Sequence, residues 1–133
     1  VEALPGRVAE YLGQPVGEAT FDLSAAGYAY VQAGECHIPA GRAVHVMYRA
    51  TGAGRSDALS LWIAPHDGRL DVAEGRLYVA AGAGAPHPLV LWRRGGLVYY
   101  LAGDGMEQVD RAAQHLREGM GQAEGAGTGA GCG

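Results

Sequence analysis

Cysteine, basic charge and long apolar runs are all scarce in this chain, and each scarcity narrows what it can do. Its 133 residues hold two cysteines, Cys36 and Cys132. They form neither a CxxC pair nor a spaced quartet, so the ligand pattern of a closed cysteine zinc site is missing. A single Cys36–Cys132 disulfide is compatible with an oxidising compartment. Ten Lys and Arg against fourteen Asp and Glu leave a formal net charge of −4. Phosphate binding needs a basic face, so nucleic acid is not the expected partner. No apolar run approaches the roughly 18–20 residues that cross a bilayer, so no membrane span is expected. The chain opens at Val1 without the basic and apolar segments of a secretion signal, which reads as a processed protein or a piece of a longer, tethered one. Catalytic signatures are missing too. There is no GxSxG, no Lys-Ser/Thr after the glycines at 52–54, and no paired-carboxylate spacing; an enzyme is not expected.

What is there fits a globular domain, with 48% hydrophobic and 18% charged residues, a balance that supports one core. Val8 and Leu12, with Tyr11 beside them, fall at helical spacing between Pro5 and Gly13, which predicts a short amphipathic helix. From residue 27 the pattern alternates. Runs at 27–33, 35–38, 43–50, 57–64, 76–81, 88–93 and 97–102 are divided by Gly- and Pro-containing turns, which predicts short strands joined as hairpins. Met106, Val109, Ala113, Leu116 and Met120 then recur at steps of three and four, a second amphipathic helix for which Asp104 is a candidate cap. The expected fold is α+β: an antiparallel meander of about six short strands flanked by N- and C-terminal helices. Residues 1–120 form this domain, and the Gly-rich stretch 121–133 is expected to be a flexible tail.

Several of these segments are familiar in order and spacing. Leu12-Gly13-Gln14-Pro15-Val16 is followed by Asp22-Leu23-Ser24-Ala25-Ala26-Gly27-Tyr28. A hairpin follows through Gly41-Arg42-Ala43-Val44, then the strand Leu59-Ser60-Leu61-Trp62-Ile63-Ala64-Pro65. The hairpin from Trp92 through Gly95-Gly96 to Asp104 completes the set. Over residues 8–118 the chain resembles the extracytoplasmic part of transmembrane anti-sigma factors. That resemblance implies an α+β domain in the bacterial periplasm or on the outer face, and motifs that are structural rather than catalytic. The family's cytoplasmic sigma-binding part and its membrane helix have no counterpart in these residues. Cys36-His37 and His45 stand where the family pattern has ordinary strand residues.

Those unusual residues make the one constellation with chemical content. If Ile38 faces Ala43, then His37 faces Val44 and Cys36 faces His45, with Met47 two residues further along the same face. Thiolate, imidazole and thioether form a soft ligand set that suits copper, Cu(I) above all. His37, His66 and His87 are further candidate ligands. The packing alternative stands beside it: a buried Cys is a small hydrophobe, Met47 fills core, and His45 bonds a carbonyl. A one-residue slip would turn His45 to the other face. Covalent haem at Cys36-His37 is disfavoured, because neighbours on a strand point to opposite faces. The aromatics Tyr28, Tyr30, Tyr48, Trp62, Trp92, Tyr99 and Tyr100 divide between core and sheet surface; an exposed aromatic face would mark a protein partner. Two functions are expected from these observations. One is a non-enzymatic extracytoplasmic sensory or ligand-binding domain, with copper as its candidate cofactor. The other is a protein-interaction or self-assembly module, a homo-oligomer built through a sheet edge, with no small-molecule ligand.

Overall fold

The computed structural model describes residues 4–13, 16, 21–38, 41–66, 68, 70–82 and 84–128. Its first helix, α1 (Leu4–Leu12), buries Leu4, Val8 and Leu12, one residue per helical turn along one stripe. Gly13 ends it at φ 72°, with its N–H donating to the Ala9 carbonyl at 2.8 Å, the left-handed exit that glycine adopts without a Cβ penalty. The Asp22-to-Gly27 motif also has a physical reading. The Asp22 carboxylate accepts from the Ser24 N–H and hydroxyl at 2.9 and 2.7 Å and so holds the short helical turn Ser24–Ala26. These bonds keep the Asp22 carboxyl below its ordinary range. Leu23 points into the core, and Gly27 closes the turn at φ 90°, delivering the chain into the first strand.

Six strands follow: β1 (Tyr28–Ile38), β2 (Gly41–Ala50), β3 (Ala58–Pro65), β4 (Leu77–Ala81), β5 (Leu89–Arg94) and β6 (Leu97–Gly103). They form one fully antiparallel sheet in the order β1-β2-β3-β6-β5-β4. Two hairpin meanders are therefore joined where β3 pairs with β6, and the expected α+β class holds. The two runs read at 27–33 and 35–38 are one strand. A bulge between Tyr30 and Gln32 inserts Val31 and reverses the alternation, so Gln32 leaves the face of Tyr28 and Tyr30.

The closing helix α2 (Met106–Thr128) runs past Gly121, where the glycines of the tail were expected to end it. The side chain of Met120 and residues 129–133, Cys132 among them, lie outside the described residues, as does any Cys36–Cys132 bond. Both helices pack on one face of the sheet. Leu4, Val8 and Leu12 of α1 and Val109, Ala112, Ala113 and Leu116 of α2 meet Val44, Val46, Tyr48, Leu59, Leu61, Ile63, Val90, Trp92, Leu97, Tyr99 and Leu101. Gly103 lets α2 come close: a Cβ there would stand 2.8 Å from Leu59 Cδ2 and 3.0 Å from Val109 Cγ2. Burial raises the Tyr99 phenol to about 12.

A second tie binds the start of β1 to the turn after β2. Tyr28 donates its hydroxyl to Asp57, and Arg55 reaches both Asp57 oxygens and the Tyr28 oxygen at 3.0–3.1 Å while lying over the Tyr28 ring. Burial, then the bond to Asp57, raise the Tyr28 phenol to about 12. The bonds from Arg55 and Tyr28 hold the Asp57 carboxyl low.

Tyr48 tests how far this core depends on its polar anchor. Its hydroxyl, buried, donates to the Phe21 carbonyl at 2.9 Å. Tyr48→Phe removes that donor and is expected to cost about 1–2 kcal/mol of unfolding free energy in urea titrations. Glu107→Gln, which breaks only the exposed pair with Arg111, is expected to change stability by less than about 0.5 kcal/mol. Equal effects of the two substitutions would contradict this assignment.

Candidate functional site

The face of the sheet away from the helices carries the candidate site. Antiparallel register places directly opposed residues on one face, so the pairings Gly34↔His45, His45↔Trp62, Trp62↔Tyr100, Tyr100↔Leu91 and Leu91↔Tyr78 run as a single row across all six strands. His45 stacks on Trp62 with ring centroids 4.6 Å apart and planes 8° from parallel. One end of this face is covered. The segment between β3 and β4 lays Val72 against Leu91 and Val98, with Tyr78 and Tyr100 packed around them, and the Ala73 N–H donates to the Tyr78 hydroxyl at 2.8 Å. The rest, around His45, Met47, Ser60, Trp62 and Ala102, is half-exposed.

The candidate metal ligands fall as follows. Cys36 faces Ala43, His37 faces Arg42 and Ile38 faces Gly41, so the expected Cys36–His45 pairing is replaced by Gly34–His45. The turn sits one residue earlier than the sequence reading placed it, because Gly41, at φ 125°, already belongs to β2 and pairs with Ile38. That moves the register by two residues and keeps the face: Cys36, His45 and Met47 share the open side, with Cys36 diagonal to His45. Met47 faces Gln32, whose Nε2 donates to its Sδ at 3.2 Å. His37 points to the helix-bearing side with Arg42, which caps the Tyr11 carbonyl at 3.1 Å. His66 directs its ring to the Leu70 carbonyl at 3.0 Å. His87 stands exposed with its Nδ1 3.9 Å from an Asp104 oxygen. Among the described residues no three His, Cys, Asp or Glu side chains gather as metal ligands do.

Sequence reasoning missed a hollow on the open face. It encloses about 360 Å³ and is lined by Ala58, Ser60, Trp62, His87, Ala102, Gly103 and Asp104. Ser60, His87 and Asp104 are residue types of a nucleophilic triad, but 3.9 Å between the His87 ring and Asp104 is not a hydrogen bond, and both side chains are exposed. Among the described residues no base is oriented there as acyl transfer requires. The Asp104 carboxylate, expected to cap α2, turns instead to the Ala58 N–H at 3.4 Å. The signal that could have revealed the hollow is the small-residue pattern Ala58, Ser60 on β3 and Ala102, Gly103 on β6, which becomes a cavity only once those strands pair.

His45 is electrostatically distinct. Its Nε2 is buried with no hydrogen-bond partner among the described residues, and burial lowers its pKa below the usual 6.5. As pH falls through the unfolded value, the unfolded chain takes up a proton that folded His45 refuses. The unfolded state then binds more protons, so stability is full above about pH 6.5 and declines below it. Thermal unfolding is expected to show a midpoint that falls from about pH 7.5 to pH 5. His45→Phe, which keeps an aromatic ring beside Trp62 and cannot titrate, should flatten that decline. An unchanged slope in the variant would remove His45 from the account.

No protein-family model and no curated protein matches the chain. Among solved structures, that of MucB in complex with MucA(peri) is similar at 18% identity and a TM-score of 0.47, over 65% of this chain and 31% of that one. The present chain thus spans about a third of that neighbour's length.

Proposed function

We propose that this chain is a non-enzymatic binding module of an extracytoplasmic regulatory protein, and that it meets a polypeptide partner through the open face of its sheet. One observation carries the reading. Tyr28, Tyr48, Trp92 and Tyr99 are 1–3% exposed in the core, whereas Trp62 and Tyr100, with His45 between Trp62 and β1, form a half-exposed row on the side opposite α1 and α2. Aromatic side chains concentrated on one accessible patch are typical of interface centres, where they bury large area at little entropic cost. The placement outside the cytoplasm and the regulatory role rest on the anti-sigma-like motifs at residues 12–28, 59–65 and 92–104. Assembly through sheet edges is less favoured, since both edge strands are irregular, β1 between Tyr30 and Gln32 and β4 between Val79 and Ala81; bulges blunt edges against pairing.

Copper binding at Cys36, His45 and Met47 is the second reading, favoured by the one face that all three share. Anaerobic Cu(I) titration of the reduced protein, with metal analysis after dialysis, decides it: retention of one equivalent that His45→Ala abolishes supports a metal-reading sensor, and no retention removes it. The docking reading is tested with peptides selected from a random display library against the intact chain. Trp62→Ala and Tyr100→Ala, checked for folding by circular dichroism, are each expected to weaken the selected binders by about tenfold, and Glu107→Ala on α2 to leave them unchanged. Binders indifferent to both aromatic substitutions would place the docking surface elsewhere.

A further inference from the structure

The hollow beside Trp62 has a chemistry of its own. Its floor is made of small residues, Ala58, Ser60, Ala102 and Gly103, and its volume of about 360 Å³ lies in the range of small-ligand pockets. The Trp62 indole forms one wall, held upright by the His45 ring stacked on it. The Asp104 carboxylate stands on the rim. No arginine is among the described residues that line the hollow, so the one fixed charge there is negative. That carboxylate is underused. It accepts one long bond from the Ala58 N–H at 3.4 Å and lies 3.9 Å from His87, against about four acceptor positions on an ionised carboxyl. An indole attracts cations through its ring quadrupole, and the carboxylate repels anions. Aromatic wall, acidic rim and small floor together suit a positive charge on a slender aliphatic stem.

We propose that this hollow receives a lysine or arginine side chain of the polypeptide that docks on the open face, its stem along Trp62 and its charged head at Asp104. The assignment rests on the docking reading above and names the chemistry of that partner.

The test uses three short capped peptides, Gly-Lys-Gly, Gly-Arg-Gly and Gly-norleucine-Gly, titrated into the intact protein. The readout is the indole N–H resonance of Trp62, distinguished from Trp92 by the Trp62→Phe variant, with the amides of Ser60 and Ala102. The lysine and arginine peptides are expected to shift these resonances saturably, and the norleucine peptide is not. Asp104→Asn keeps a polar side chain facing the Ala58 N–H and should weaken binding about three- to fivefold. Ser60→Leu, which fills the floor, should abolish it. Equal shifts from norleucine and lysine, indifference to Asp104→Asn, or no saturable shift would each overturn the proposal. The display selection separates this failure from that of the docking reading. Selected peptides that need Trp62 yet tolerate loss of every basic residue keep the open face and remove the basic anchor. Peptides indifferent to Trp62 and Tyr100 remove the face itself.

Discussion

The pairing of β3 with β6 is the contact on which the rest of the molecule depends. Each of the two meanders, β1-β2-β3 and β6-β5-β4, is a run of local hairpins, and each carries one helix, α1 against β2 and α2 against β5 and β6. The seam aligns Leu61 with Leu101 and Ile63 with Tyr99, placing side chains that are almost wholly buried at the centre of the core. It also sets Leu59 against Gly103, whose missing Cβ leaves room for Val109 of α2. Because this is the least local pairing in the sheet, its loop-closure cost falls on the segment between β3 and β4, which crosses the opposite face and is held there by Val72.

The same seam makes the open face. Alternation along β3 sends Leu59, Leu61 and Ile63 one way and Ser60, Trp62 and Ala64 the other. Facing β6 residues extend each set, so one pairing completes a hydrophobic core on one side and an aromatic row with an adjacent hollow on the other. Covering one end of that face with Val72, Leu91 and Val98 while leaving Trp62 half-exposed is an asymmetry that core formation does not require. A binding surface has that shape: a rigid aromatic centre on well-paired strands, beside a cavity with a charge at its rim. His45 links the two sides of the design. It props Trp62 through ring stacking, and its buried Nε2, without a hydrogen-bond partner among the described residues, sits where burial disfavours the protonated ring.

Much of the architecture was readable before any tertiary contact was known. Hydrophobic period distinguished α1 and α2 from the strands, and Gly95-Gly96 marked the tight β5–β6 hairpin. The candidate site was readable only in part. Cys36, His45 and Met47 were correctly read as sharing a face, but their direct opposition was not. Hairpin register depends on which residues the turn takes, and Gly41 joins β2 and pairs with Ile38. The bulge at Val31 was invisible for a related reason: inserting one residue preserves composition and local propensity and changes only which face follows.

The sequence by itself determined the element types, the antiparallel hairpins and the acidic net charge, because these follow from residue period, turn chemistry and composition, which are local or additive quantities. Only the tertiary structure decided that β3 lies beside β6, that Trp62 and Tyr100 neighbour each other, and that Ser60, Ala102 and Asp104 enclose one hollow. Those facts depend on which distant strands pair. That choice is made by the total apolar area two meanders can bury together, a property no single segment carries.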